Sequence, residues 1–255
     1  MIFYFSATGN SKYAAERIAA ATEDHLISLP DAVRERRYRY DVSGESRIGF
    51  VFPVYFQGMP SILNFFLEKL ELTGCRDPYI YVVLTCGSMT GDTAGQLAKA
   101  LKKKGLTLSA RFGIQMVENY APVFTVPDAE EAARLLDAAE PVIDEAARTI
   151  QAKGIGDYDR RRGPAPAAQT AMLYPLYLRG RSTKPFVVTE HCIGCGLCQE
   201  VCPCGAISIA GGKPAWVKSR CVQCLACLHR CPAQAIHWKS PDENRGRYCN
   251  PRVEP

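Results

Sequence analysis

One cysteine pattern occurs twice near the end of this chain. Each copy places three cysteines at every third position and a fourth, followed by proline, four residues later. The first copy consists of Cys192, Cys195, Cys198 and Cys202, and the second of Cys221, Cys224, Cys227 and Cys231. Each cysteine of the second copy lies the same number of residues after its counterpart in the first copy. The alanine and the isoleucine that follow each copy keep this spacing too. The repeat therefore predicts a duplicated structural unit.

This spacing resembles that of bacterial ferredoxins. In such a run three thiolates wrap one face of a 4Fe-4S cluster, and the fourth, before proline, ligates the other cluster. The resemblance assigns Cys192, Cys195, Cys198 and Cys231 to cluster one. It assigns Cys221, Cys224, Cys227 and Cys202 to cluster two. We therefore expect two 4Fe-4S clusters that tie the two copies together.

Three other uses of these cysteines stay open but are less favoured. Structural zinc is typical of isolated C-x2-C pairs. Disulfides are unexpected because nothing at Met1 reads as a secretory leader. Haem attachment needs a histidine directly after the second cysteine of a pair, and Leu228 follows Cys227 instead.

Composition is that of a soluble globular protein, with 47% hydrophobic and 22% charged residues. No apolar run approaches the roughly 18 residues of a membrane span, so we expect a cytoplasmic protein. The cysteines outside the repeat show no framework spacing, which fits a reducing compartment and an anaerobe; they are Cys75, Cys86, Cys204 and Cys249. The net charge of +5 and the basic runs 34–39 and 160–162 indicate solvated surface rather than nucleic-acid binding. An acidic redox partner remains compatible with them.

The first 153 residues alternate strand and helix patterns, which predicts a doubly wound α/β domain with a parallel sheet. The predicted strands are 2–5, 25–29, 48–54, 79–85 and 108–117, in the order 2-1-3-4-5. The predicted helices are 10–21, 61–72, 93–104 and 128–153, while 31–46 is ambiguous.

The pattern changes after residue 153. Residues 154–182 read as a linker, rich in glycine, arginine and proline, with an apolar docking segment at 167–178 that Pro175 interrupts. Residues 183–240 read as a small α+β domain that holds the cysteine repeat, and 241–255 as a C-terminal tail. The docking segment is expected to pack against its own two domains.

A second candidate site follows the first strand. Ser6, Thr8, Gly9, Asn10 and Ser11 lead directly into a predicted helix. Hydroxyls, a glycine and the free N–H groups of a helix start suit a phosphate. Neither a Walker loop nor a G-x-G-x-x-G fingerprint is present. Serine, threonine and asparagine also cap helices without any ligand, so the loop alone leaves both uses open.

Two more loops end at the same edge of the predicted sheet, where ligands of such folds bind. Pro53, Tyr55, Phe56, Gln57 and Gly58 follow the third strand, and Thr85, Cys86, Gly87 and Ser88 follow the fourth. One phosphate loop between two such walls suits a flat ring with a phosphate tail. An aromatic side chain of the third-strand loop would cover the ring. If the ring is an isoalloxazine, the Gln57–Gly58 peptide would face its N5 atom. The alternative is that the aromatics of this loop belong to the core.

The phosphate loop resembles that of flavodoxins, whose motif Thr/Ser-x-Thr-Gly-Asn-Thr/Ser matches Ser6 to Ser11. The chain as a whole resembles the fused flavodoxin-ferredoxin proteins of anaerobic bacteria and archaea. That resemblance implies a flavodoxin-like five-stranded sheet with noncovalently bound FMN, followed by a two-cluster ferredoxin domain. Two positions depart from the pattern. Met89 stands near the usual second aromatic of the flavin site, and Cys204 is unexpected, more plausibly a small buried residue than a ninth ligand.

These features together favour an electron-transfer protein that relays electrons between FMN and two 4Fe-4S clusters, with protein redox partners. An FMN-dependent reductase of a small substrate, fed through its clusters, is the alternative; an open pocket near Met59, Met89 and Tyr120 would favour it. A redox-sensing or assembly module is a third reading. The sequence assigns no catalytic residue and leaves the donor, the acceptor and the oligomeric state open.

Overall fold

The computed structural model describes residues 1–74, 77–241 and 245–254, so Cys75 lies outside the described residues. The helices and strands up to residue 158 are, in chain order, β1 (Ile2–Tyr4), α1 (Asn10–Thr22), β2 (Leu26–Ser28), α2 (Leu29–Arg34), β3 (Arg39–Asp41), β4 (Arg47–Pro53), α3 (Ser61–Lys69), β5 (Glu71–Thr73), β6 (Tyr79–Cys86), α4 (Thr93–Lys102), β7 (Ala110–Gln115), α5 (Ala129–Gln151) and β8 (Gly156–Tyr158).

The main sheet is parallel and has the order β2-β1-β4-β6-β7-β8. The predicted flavodoxin-like α/β fold and the order of its five strands are therefore confirmed. The central strands read as nearly continuous apolar runs because helices cover both faces of the sheet. Phe50 and Phe52 of β4 and Val82 and Leu84 of β6 are fully buried.

The sheet has a sixth strand that the sequence pattern did not predict. β8 pairs in parallel with β7, inside the segment read as a linker. Its three residues are exposed, and Tyr158 stacks on Phe112 with ring centroids 5.1 Å apart. The sequence could not predict this strand, because three exposed residues are too few to show the alternation of apolar and polar residues that marks a strand. β3 and β5 form a separate parallel pair, and the predicted helix 61–72 ends at Lys69 because residues 71–73 belong to β5.

The linker continues as one helix, α6 (Pro166–Gly180), which Pro175 does not end. Tyr177 is buried, and its hydroxyl accepts from the Ser61 backbone N–H at 3.0 Å and donates to the Val222 carbonyl at 2.9 Å. Ser61 begins α3, whereas Val222 lies in the second cysteine run. The docking segment thus packs between the α/β sheet region and the cysteine-rich region.

We expect Gly58→Ala to destabilise the protein by about 1 to 3 kcal/mol, as overpacking does. A Cβ at Gly58 would overlap Cδ2 of Tyr174, whose hydroxyl is fixed by Met59 and Asn64. Urea unfolding measures the change. Gly44→Ala is the matched control because a Cβ there meets nothing within 4 Å. Equal free energies of unfolding for the two variants would contradict this account of α6 packing.

The cysteine-rich region repeats one small unit. Its elements are β9 (Phe186–Val188), α7 (Leu197–Glu200), β10 (Ile207–Ala210), β11 (Lys213–Trp216), α8 (Ala226–His229) and β12 (Ile236–Trp238). β10 pairs with β11 and β9 with β12, both antiparallel. Phe186 stacks on Trp216 and meets Trp238 edge-on, each at 5.0 Å between ring centroids. This small strand-rich region is the predicted ferredoxin-like part of the fold.

Within the described ranges, no helix combines the length and the apolar character needed to cross a bilayer.

Candidate cofactor sites

A cavity of about 320 Å³ lies where β1, β4, β6 and β7 end. Its size falls in the range of about 300 to 1,000 Å³ that is usual for small-molecule sites. All three predicted loops line it, through Ser6, Thr8, Asn10, Ser11, Pro53, Tyr55, Phe56, Gln57, Thr85, Cys86, Gly87 and Ser88. Gly9 and Gly58 are the two predicted residues outside this lining. The structure therefore brings the predicted loops together around one space.

The loop after β1 leaves hydroxyl protons available. Thr8 Oγ1 accepts a hydrogen bond from Asn119 Nδ2 at 2.7 Å, and Ser6 Oγ accepts one from the Gly9 N–H at 3.1 Å. Because both oxygens accept within the protein, both O–H groups are available to donate to a ligand. Gly9 has a φ of +99°, a conformation that glycine adopts without strain.

The helix that follows the loop starts without a side-chain cap from the described residues. Its first N–H groups and the positive end of its dipole therefore face the loop unneutralised, which favours an anion. Ser11 Oγ lies 2.7 Å from Thr85 Oγ1, and this buried pair fixes the helix start to the end of β6. The donors and the helix start together fit a phosphate group.

Aromatic side chains form the wall after β4. Phe56 meets Tyr120 edge-on at 5.3 Å and stacks on Tyr177 at 6.0 Å between ring centroids. Tyr55 meets Tyr177 edge-on, with 5.7 Å between the ring centroids. These side chains give the cavity an aromatic wall, which suits a flat aromatic ring, and the loop after β1 lines the same cavity.

The Tyr55–Gly58 turn is tight. The N–H groups of Tyr55 and Gly58 each donate to the other residue's carbonyl, at 2.9 and 3.0 Å, and Phe56 and Gln57 have positive φ. The Gln57 carbonyl accepts from Thr170 Oγ1 at 2.6 Å. Both polar groups of the Gln57–Gly58 peptide thus have partners inside the protein. Its contact with flavin N5 stays a prediction. The buried Gln57 Oε1 has no hydrogen-bond partner among the described residues.

Several lining residues lie outside the predicted loops. Glu118, Asn119 and Tyr120 follow β7, and the rule that ligands bind at the carboxyl ends of parallel strands could have found them. Further lining residues come from α6 and from the second cysteine run; they are Leu173, Tyr177, Gln223, Cys224 and Leu225. Met89 also lines the cavity, whereas Met59 is buried outside it.

Two smaller cavities lie among the repeated cysteines. Cys192, Cys195, Cys198 and Cys231 line one. Cys202, Cys221, Cys224 and Cys227 line the other, together with Cys204. These are the crossed sets that the spacing predicts, since each cavity takes its fourth thiol from the other copy. Among the described residues, no three His, Cys, Asp or Glu side chains converge as ligands of a single ion do.

Backbone N–H groups donate hydrogen bonds to several of these sulfurs. The Ala206 N–H donates to Cys202 Sγ at 3.2 Å, and the Ala235 N–H donates to Cys231 Sγ at 3.3 Å, at equivalent places in the two copies. The Gln223 N–H donates to Cys221 Sγ at 3.3 Å. Such bonds stabilise negative charge on a cluster and help to set its reduction potential. The thiol cavities are therefore suited to anionic clusters.

The two cysteine cavities differ in exposure. Cys195 is exposed, and its neighbour Ile193 is 69% exposed. Cys227 is buried, and Cys224 and Leu225 line both the cluster-two cavity and the large cavity. One cysteine cavity thus borders the surface and the other borders the candidate flavin site.

Cys204 lies in the second cavity, with its Sγ 3.9 Å from Cys202 Sγ. It is half-buried. The described cysteines are all free thiols.

We expect Thr8→Ala to weaken FMN binding about 10- to 100-fold, the equivalent of about 1.5 to 3 kcal/mol for a bond to a charged group. The alanine removes the hydroxyl whose proton is available to the phosphate. Fluorescence titration of the apoprotein measures the dissociation constant. Thr149→Ala is the control, because Thr149 is a half-buried residue of α5 whose hydroxyl donates to the Glu145 carbonyl of the same helix. Unchanged FMN affinity in Thr8→Ala would overturn the phosphate-loop assignment.

Comparison with known families separates the same two parts of the chain, the α/β region and the cysteine-rich region. Residues 1–124 match the flavodoxin domain model, and residues 185–208 match the 4Fe-4S binding domain model. No curated protein sequence matches the chain significantly.

Among solved structures, a Trp repressor binding protein from Bacillus subtilis is 17% identical, covers 55% of this chain and 94% of its own, and has a TM-score of 0.36. An FMN-dependent NADH-azoreductase from Bacillus anthracis, solved with FMN, is 12% identical over 59% of this chain and 98% of its own, with a TM-score of 0.39. Rubredoxin oxygen:oxidoreductase from Desulfovibrio gigas is 16% identical over 60% of this chain and 36% of its own, with a TM-score of 0.37. At these TM-scores the likenesses carry no argument about activity.

The cofactor types are assigned from the two domain matches. A flavodoxin domain implies a flavin, and a 4Fe-4S binding domain implies an iron–sulfur cluster. The chain is therefore a flavin and iron–sulfur redox protein, consistent with the fused flavodoxin-ferredoxin type.

Proposed function

We propose that this protein relays electrons between FMN and two 4Fe-4S clusters. The observation that carries the proposal is the shared wall formed by Gln223, Cys224 and Leu225. These adjacent residues line both the candidate flavin cavity and the cavity of Cys202, Cys221 and Cys227. A cluster held there would be separated from a bound flavin by little more than its own ligand.

The cysteine cavity that borders the surface gives the relay an outlet. Cys195 and Ile193 are exposed beside it, so a cluster held by Cys192, Cys195, Cys198 and Cys231 would be within reach of a partner protein. Cluster two would then connect the flavin to cluster one.

When bound, FMN supplies two-electron chemistry, and the clusters supply one-electron chemistry. The chain supplies position and electrostatics. Tyr55, Phe56 and Tyr177 enclose the ring space, and the uncapped start of α1 faces the phosphate. Backbone N–H groups at Cys202 and Cys231 stabilise the charge of the clusters.

A reductase of a small substrate is the second candidate. Val123 and Phe124 line the large cavity and are 53% and 50% exposed, so apolar side chains stand at its mouth beside Met89 and Tyr120. Such a mouth suits a small aromatic acceptor above the ring. Anaerobic mixing of the chemically reduced protein with a small quinone separates the candidates. A reductase oxidises its flavin with saturation in quinone, and a pure carrier shows no saturation.

An anaerobic redox titration followed by EPR and visible absorption tests the relay. The proposal predicts one flavin and two 4Fe-4S clusters per chain, all reducible in one molecule. A chain that holds zinc at its cysteines, or that holds no flavin, would rule the relay out.

A further inference from the structure

The outer side of the phosphate loop is covered by residues far away in the sequence. Arg230, which directly precedes the cluster ligand Cys231, donates from Nε to the Ala7 carbonyl at 2.9 Å. The Asn250 N–H donates to the Thr8 carbonyl at 2.7 Å. The carbonyls of Ala7 and Thr8 are thereby bonded to groups outside the lining of the cavity, although both residues line it. These bonds favour an anion site, because carbonyl oxygens turned inward would repel a phosphate.

Asn10, the first residue of α1, is also held from outside the flavodoxin domain. Its Oδ1 accepts from the Tyr248 hydroxyl at 2.6 Å and from Asn250 Nδ2 at 3.3 Å. Its Nδ2 donates to the Val117 carbonyl at 3.1 Å. All of these groups are buried. The Asn10 side chain therefore connects the helix start to the C-terminal tail.

At Gly9, close packing also joins the loop after β1 to the C-terminal tail. A Cβ on Gly9 would lie 2.8 Å from Asn250 Cβ and 2.8 Å from Val253 Cγ2. The glycine is thus required by the close approach of the tail as well as by its positive φ. Arg252 anchors this part of the tail through Glu140 of α5, at 2.6 Å.

A further chain of bonds passes through His229 of α8. The Tyr248 N–H donates to His229 Nδ1 at 3.3 Å, so the ring proton lies on Nε2, which donates to the Asn119 carbonyl at 2.8 Å. Asn119 in turn donates from Nδ2 to Thr8 Oγ1 at 2.7 Å. The orientation of the Thr8 hydroxyl therefore depends on the cluster half of the molecule.

We infer that the segment Tyr248–Val253, here called the C-terminal clamp, together with Arg230 and His229, completes the binding site for the phosphate of the flavin. These are positioning residues: they hold the loop after β1 and do not touch the ligand. The inference rests on the proposed flavin function and names which parts of the chain make it possible. It assigns a binding role to a tail that lies outside both domain matches.

The test compares two flavins that differ only in the phosphate. Tyr248→Phe removes the hydroxyl that holds Asn10 and keeps the ring, so FMN binding to the apoprotein should weaken about tenfold, as expected when a buried acceptor loses a partner. Riboflavin, which lacks the phosphate, should bind Tyr248→Phe and wild type equally. Tyr158→Phe is the control, because the Tyr158 hydroxyl is exposed and bonds only to Ile155 in the described contacts. Iron and sulfide analysis of each protein checks that the clusters are retained.

A second variant, a chain ending at Arg247, removes the whole clamp and should lose more FMN affinity than Tyr248→Phe while keeping riboflavin affinity. If this chain does not fold, Tyr248→Phe decides alone. FMN affinity unchanged in Tyr248→Phe would overturn the inference, and so would equal losses of FMN and riboflavin, which indicate a general disturbance of the cavity. Full-length wild-type protein that binds neither flavin would overturn the proposed function itself.

Discussion

Cys231→Ala is expected to lower iron and acid-labile sulfide from about eight to about four of each per chain. The cluster that it removes is the one in the cavity of Cys192, Cys195 and Cys198, since Cys231 is the fourth thiol of that cavity. Removing one of four thiolates leaves an iron without its protein ligand. Iron and sulfide assays on anaerobically purified protein measure the loss.

Double variants show which cluster is lost. Cys231→Ala combined with Cys195→Ala should still retain about four irons, because in the crossed assignment both thiols hold cluster one. Cys202→Ala combined with Cys195→Ala should lose nearly all iron, because these thiols hold different clusters. The reverse result would show that each copy of the repeat holds its own cluster. Cys204→Ala is the matched control and should retain the full content, since its sulfur is additional to the four thiols of its set.

The parts of the site that could be predicted are those encoded within a few residues. The loop from Ser6 to Ser11 carries its hydroxyls, its glycine and its helix start together, and the spacing of each cysteine copy brings three thiols to one cavity. The strand order followed from the alternation of strand and helix patterns, and it placed the loops after β1, β4 and β6 at one edge. Local sequence was sufficient wherever short-range geometry decides the structure.

The remainder of the site depends on how distant segments dock. Tyr177 reaches the flavin cavity because α6 packs on Ser61 and Val222, and Gln223 reaches it because the cysteine-rich region sits over the end of the sheet. The Asn250–Thr8 contact joins the tail to the phosphate loop. None of these contacts leaves a period or a motif, since each is made once between segments far apart in the sequence. Residues 1–153 alone would lack this wall and the clamp.

The second prediction with a large effect concerns the order in which electrons pass through the cofactors. If cluster two stands between the flavin and cluster one, its loss should disconnect the exposed cluster from the flavin. Cys202→Ala removes a thiol of the cavity that shares Cys224 and Leu225 with the flavin cavity, while Cys204→Ala leaves that cavity its four predicted ligands. We expect Cys202→Ala to retain FMN and cluster one but to lose rapid transfer between them.

The decisive measurement is the rate at which bound FMN is reduced when an external one-electron protein donor is mixed anaerobically with the oxidised protein, followed by stopped-flow absorption at matched FMN occupancy. The relay predicts that flavin reduction in Cys202→Ala falls to the rate of a variant that lacks both clusters, whereas Cys204→Ala keeps the wild-type rate. Flavin reduction in Cys202→Ala as fast as in wild type would contradict the relay through cluster two.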